Sequence, residues 1–122
     1  MNYFKTKLVV QSIPNGYWIL ESDLVYFDSH YGLITAKKGF ETDLASIPKP
    51  IRNIVDPSEP YIKEPAVIHD WIYRGHTGKR FNRKDADKIF YRGMRSNGIS
   101  WTKAQVMYWA VRLFGRSSFK NQ

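Results

Sequence analysis

Residues 65–73 read Pro65-Ala66-Val67-Ile68-His69-Asp70-Trp71-Ile72-Tyr73, and here the chain changes from strand spacing to helix spacing. Proline suits the first position of a helix, where its missing N–H has no intrahelical partner, so a helix is predicted from Pro65 to just before Gly75. Asn82 begins a second helix as its N-cap, with Asp85 three residues on in the capping-box position. Ala86, Ile89, Phe90 and Met94 form its apolar stripe, and Gly98 stands where a C′ glycine belongs. Ser100 caps a third helix. Trp101, Ala104, Met107, Tyr108, Val111 and Phe114 recur there at helical spacing until Gly115.

Upstream the pattern belongs to strands. Leu8-Val9-Val10 and Trp18-Ile19-Leu20 flank Ile13-Pro14-Asn15-Gly16, and Asn-Gly is a strong hairpin signal because both residues tolerate positive φ. Leu24-Val25-Tyr26-Phe27 and Leu33-Ile34-Thr35-Ala36 flank a second turn, Asp28-Ser29-His30-Tyr31-Gly32. The reading is an antiparallel meander of three or four strands, its edge marked by Lys37-Lys38-Gly39. Pro48, Pro50, Pro57, Pro60 and Pro65 exclude a long regular element between the two halves. The predicted fold is therefore α+β, a small N-terminal sheet with three helices packed on it. It forms a single domain over 1–122: meander 1–47, proline-rich connection 48–64, helices 65–115, and a frayed basic tail 116–122.

A chain of 122 residues with 43% hydrophobic and 16% aromatic content has enough apolar material for an ordinary core. With no cysteine, disulfides and thiolate metal sites are excluded, which suits a reducing cytosol. No apolar run reaches membrane-span length, and the N-terminus lacks a signal-peptide pattern, so the chain reads as soluble and unexported. Nineteen Lys and Arg against eleven Asp and Glu give a net charge of +8. Non-specific nucleic-acid contact is thereby allowed, but the charges are scattered and sequence-specific binding is not indicated.

The chemistry concentrates on the first helix pair. His69 and Tyr73 lie four apart on one face, with Asp70 beside them. A short loop makes the two helices antiparallel, and Asp87 then faces His69 or Tyr73. A carboxylate on one imidazole nitrogen fixes the tautomer and leaves the other nitrogen to activate water, which is general-base geometry. The same residues could equally bond to one another only to fix helix packing. Asp85 could serve only as a cap, and Arg83 and Asp87, four apart, could form only an ion pair. Thr42-Asp43-Leu44-Ala45-Ser46 adds an acid and a hydroxyl. Asp43 either completes a metal or acid–base site with His69 and Asp70, or joins Ser46 in turning the chain out of the last strand. Ser46 lacks the Gly-x-Ser-x-Gly elbow of a nucleophile. Gly75-His76-Thr77-Gly78-Lys79-Arg80 lacks the full phosphate-loop pattern and reads as an exposed basic turn.

Three blocks, Gly39–Pro48, Ala66–Tyr73 and Arg83–Phe90 with Met94, resemble a family of unknown function found in tailed bacteriophages and prophages. That resemblance implies a phage or prophage origin, a host-cytoplasmic or virion-associated location, and partners among phage or host proteins. It brings no established activity. His69-Asp70-x-x-Tyr73 answered by Asp87 is also similar to the core of secretory phospholipases. This second resemblance implies His69 as base, Asp70 as a calcium ligand, and Tyr73 and Asp87 as supports. Calcium takes six or more oxygens, so carbonyls from Gly39–Ser46 would have to join them. The chain departs from those enzymes in lacking their glycine-rich loop and disulfides. The functional expectation is a small phage protein with a His/Asp site acting as a metal-assisted hydrolase, or alternatively a virion component or protein binder contacting its partner through the aromatic third helix.

Overall fold

The computed structural model describes residues 1–43 and 60–119. Six strands precede three helices: β1 (Tyr3–Phe4), β2 (Val10–Ile13), β3 (Tyr17–Leu20), β4 (Leu24–Asp28), β5 (Gly32–Ala36), β6 (Glu41–Thr42), α1 (Pro60–Tyr73), α2 (Arg83–Ser96) and α3 (Trp101–Phe114). The architecture is α+β, as the periodicity predicts. The strands do not make one meander, however. They form two antiparallel three-stranded sheets, ordered β1-β4-β5 and β2-β3-β6.

Both hairpins follow their turn chemistry. Pro14–Gly16 makes a single 3-10 turn in which Asn15 and Gly16 have φ of 74° and 75°. That places Val10 opposite Leu20 and Ile13 opposite Tyr17. Gly32, at φ 80°, opens β5 so that Leu24 pairs with Ala36 and Asp28 with Gly32. Side chains alternate across a strand, so Leu24, Tyr26 and Asp28 all point inward from β4. The Lys37-Lys38-Gly39 stretch is not a sheet edge. It carries the chain across to β6, which pairs with β3 and turns Thr42 into the interior.

Helix α1 begins five residues before the predicted start, and Pro65 lies inside it. An interior proline leaves the carbonyl four residues back without its helical donor, here Tyr61. Asn97, at the end of α2, supplies the substitute: its Nδ2 donates to the Tyr61 carbonyl at 3.1 Å and to Glu64 Oε1 at 3.1 Å. Pro65 also packs on Gly93, where an added Cβ would stand 3.3 Å from the Pro65 Cβ. The proline is tolerated because α2 repairs the backbone it interrupts. Asn97→Ala is expected to cost about 1 kcal/mol, the net worth of one such bond, read from a lower urea midpoint.

Helix α2 is the middle element, packed on α1 and α3 and touching β1 and β4. Its capping box is formed as read: Asn82 Oδ1 accepts from the Asp85 N–H at 2.7 Å, and Asp85 Oδ2 accepts from the Asn82 N–H at 3.2 Å. Ser100 caps α3 through the Lys103 N–H at 3.3 Å. The apolar stripe of α3 is narrower than predicted. Ala104, Met107 and Val111 are buried, whereas Trp101 and Phe114 are 60% and 62% exposed. The tail is not frayed where it is described. Arg116–Ser118 forms a 3-10 turn, and Phe119 packs edge-on against Tyr73 at 5.2 Å.

Candidate functional site

The site lies where the three helices meet. His69 and Tyr73 project from one face of α1, their rings 4.0 Å apart, and the His69 ring also lies 4.8 Å from Phe90 of α2. Asp87 enters from the first turns of α2. Its Oδ1 is 2.7 Å from His69 Nε2 and accepts the Tyr73 hydroxyl at 2.5 Å. Its Oδ2 accepts from Arg112 Nη1 of α3 at 2.9 Å. His69, Tyr73 and Asp87 are all fully buried.

Charge decides the proton positions. Burial pushes the Asp87 carboxyl up, but the bonds from His69, Tyr73 and Arg112 outweigh it and hold the group below its ordinary range. An ionised carboxylate only accepts, so His69 carries its hydrogen on Nε2 and, when neutral, its lone pair on Nδ1. Burial and then the Asp87 charge push the Tyr73 phenol upward, so it stays a donor. Stability should follow both signs. The Asp87 contribution is present above the unfolded carboxyl value, about 4, and fades as pH falls through its lower native value. The Tyr73 contribution is present below the unfolded phenol value, about 10, and is lost as pH rises beyond it. Melting temperatures measured against pH should therefore drop on both flanks, and the acid drop should shrink in Asp87→Asn.

The remaining candidates divide. Arg83 stands 3.8 Å from Asp87 Oδ2, a loose ion pair. Its stronger role is to donate to the carbonyls of Val111 and Arg112 at 3.0 and 3.1 Å, closing the end of α3. Asp85 is more than a cap, since its Oδ1 accepts the Tyr31 hydroxyl at 2.7 Å. Asp70 accepts from Thr42 Oγ1 at 2.5 Å and pairs with Arg74 Nε at 3.3 Å, while Asp43 accepts from Arg74 Nη2 at 2.8 Å. A guanidinium thus sits on Asp70, expected to ligate calcium, and on Asp43, expected to complete a metal or acid–base site. Among the described residues no group of three or more His, Asp or Glu side chains could hold a metal ion. That donor set does not fit calcium. Ser46 lies outside the described residues.

Sequence reasoning missed Arg112, Arg74 and Thr42 as partners. Unannounced as well is a third buried carboxylate beside Asp70 and Asp87: Asp28 accepts from Arg92 Nε at 2.9 Å, Tyr26 Oη at 3.3 Å and the His30 N–H at 2.9 Å. These contacts span 25 residues or more, apart from Arg74 on Asp70, Tyr26 on Asp28 and the His30 turn, and no local spacing announces them.

Fold and site together define a small α+β protein with a buried His–Asp–Tyr unit clamped by an arginine. The chain belongs to the family described as "Protein of unknown function (DUF1353)", whose model matches residues 18–111. It is 33% identical over 107 residues to "Uncharacterized protein y4jT" of Sinorhizobium fredii (strain NBRC 101917 / NGR234), covering 87% of this chain and 31% of that protein. It is 33% identical over 117 residues to "Uncharacterized protein y4iH" of the same strain, covering 93% of this chain and 48% of that protein. The chain thus spans half or less of the length of these curated relatives. No solved structure matches it. Among the described residues no helix is long and apolar enough to cross a membrane.

Proposed function

We propose that this is a phage- or prophage-borne hydrolase in which His69 is the general base. The carrying observation is the 2.7 Å contact of His69 Nε2 with Asp87 Oδ1, on a carboxylate that Tyr73 and Arg112 hold in place. Oriented by Asp87, the His69 imidazole takes a proton from water as the water oxygen attacks an ester or amide carbonyl. The imidazolium so formed is stabilised by Asp87 and returns its proton to the departing alkoxide or amine. Bond made and bond broken balance as hydrolysis without a further reactant. Because His69 is fully buried, the reaction requires an opening motion that brings water and substrate to the ring.

The test is hydrolysis of chromogenic acyl esters of graded chain length by the wild type, His69→Gln and Asp87→Asn. We expect His69→Gln to lose roughly 100-fold or more while keeping its helical circular dichroism. Equal rates in folded His69→Gln, or no turnover of any ester or amide by the wild type, would overturn the reading.

The outer face of α3 favours a second reading, a virion or assembly component. Val106, Trp109 and Leu113 are 41%, 55% and 68% exposed and share that face, on a chain of net charge +8. The partner that fits is a phage or host protein offering an apolar seat with an acidic rim. Copurification with virions, lost in Trp109→Asp, supports this reading. A mass in solution showing that the face pairs two copies of the chain rules it out.

A further inference from the structure

A groove of about 310 Å³ runs between α2 and α3, and the buried histidine is not among the residues that line it. Lys88, Tyr91 and Arg92 line it from α2, and Gln105 and Tyr108 from α3. Each of these five side chains ends in an N–H or O–H donor, and no carboxylate joins them. On α2 the three residues fall at i, i+3 and i+4, and on α3 the two fall at i and i+3, so the helical repeat gathers every donor on the facing sides.

The donors have little to bond to within the protein. Among the described residues Lys88 makes no ion pair, and the side chains of Tyr91, Gln105 and Tyr108 have no hydrogen-bond partner. Arg92 is held at one end only. Its Nε donates to buried Asp28 at 2.9 Å, while its Nη2 is buried with no hydrogen-bond partner. Asp28 offsets part of the guanidinium charge, leaving Lys88 as the full positive charge at the rim. The Tyr91 and Tyr108 rings meet edge-on at 5.9 Å and give the groove stiff walls.

A cleft with clustered donors, net positive charge and no carboxylate in its lining is complementary to a compact oxyanion with several acceptor oxygens. We propose that the α2–α3 groove binds a phosphate group. Lys88 and Arg92 supply the charge, and Tyr91, Gln105 and Tyr108 supply oriented neutral donors. The anion arrives either as free phosphate or on a small phosphate monoester.

The test is a chemical-shift titration of the full chain with inorganic phosphate and with glycerol 1-phosphate, at constant ionic strength made up with chloride. Saturable shifts centred on Tyr91, Gln105 and Tyr108 are expected, weakened roughly tenfold in Lys88→Gln, a change of about 1.4 kcal/mol. Lys88 is exposed, so that variant should fold, and an unchanged spectrum elsewhere would verify it. Tyr108→Phe removes one donor and keeps the ring, and it should weaken binding without moving the other shifts. Response to the ester alone assigns the esterified form, and response to phosphate alone assigns the free anion. The proposal is overturned if neither ligand saturates, if chloride gives the same shifts, or if both variants bind like the wild type.

Discussion

Asp87→Ala is expected to destabilise the protein by roughly 3–5 kcal/mol, the range for removing one partner of a buried ion pair. The carboxylate is fully buried and receives His69 and Tyr73 on one oxygen and Arg112 on the other. Alanine would leave a phenol and an imidazole without their acceptor and a guanidinium, at 24% side-chain exposure, without its counter-charge. Against a total stability of about 5–15 kcal/mol for such a domain, the loss should be plain in urea unfolding at neutral pH. Asp87→Asn keeps the shape and one acceptor oxygen, so it should cost distinctly less. A loss under about 1 kcal/mol in Asp87→Ala would mean that the three helices do not depend on this carboxylate.

Phe90→Ala should be of similar size for a different reason, roughly 3–5 kcal/mol. Phe90 is fully buried on α2 and lies against the His69 ring at 4.8 Å. Truncation removes apolar contacts and opens a cavity that rigid helix packing cannot fully close. Phe90→Leu, which conserves most of the volume, should cost less than about 1.5 kcal/mol. If Phe90→Ala fell within that smaller range, the helices would have to be repacking around the gap. Urea midpoints with unchanged slopes measure both effects.

What could be read from the amino acids depended on how far each interaction reaches. The Asn15-Gly16 turn, the Asn82/Asp85 box and the Ser100 cap each involve residues within three positions, and each is present. The His69–Tyr73 face follows from the helical repeat, and the approach of Asp87 from the short loop between α1 and α2. The division into two sheets was not legible. It depends on Glu41 and Thr42 choosing Ile19 and Trp18 as partners, and strand pairing over that distance leaves no mark in either segment. The start of α1 was misplaced because proline reads locally as a boundary, while Asn97 satisfies the Tyr61 carbonyl that Pro65 leaves open from 36 residues further along the chain. Arg112 lies 25 residues from Asp87, with no local spacing to link them. Only the packing of α3 on α2 reveals it as the counter-charge of Asp87. Arg74 is the instructive case for chemistry. It lies four residues from Asp70, and its guanidinium fills the place where a metal was expected and bridges Asp70 to Asp43.

The Asn97 side chain has a consequence for how the molecule assembles. Helix α1 carries a gap in its own backbone ladder at Tyr61, and the donor that fills it becomes available only once α2 has formed and docked. The first turns of α1 are thus stabilised from outside, so their amides should exchange with solvent at the rate at which α2 detaches, while those nearer Tyr73 follow the wider opening of the domain.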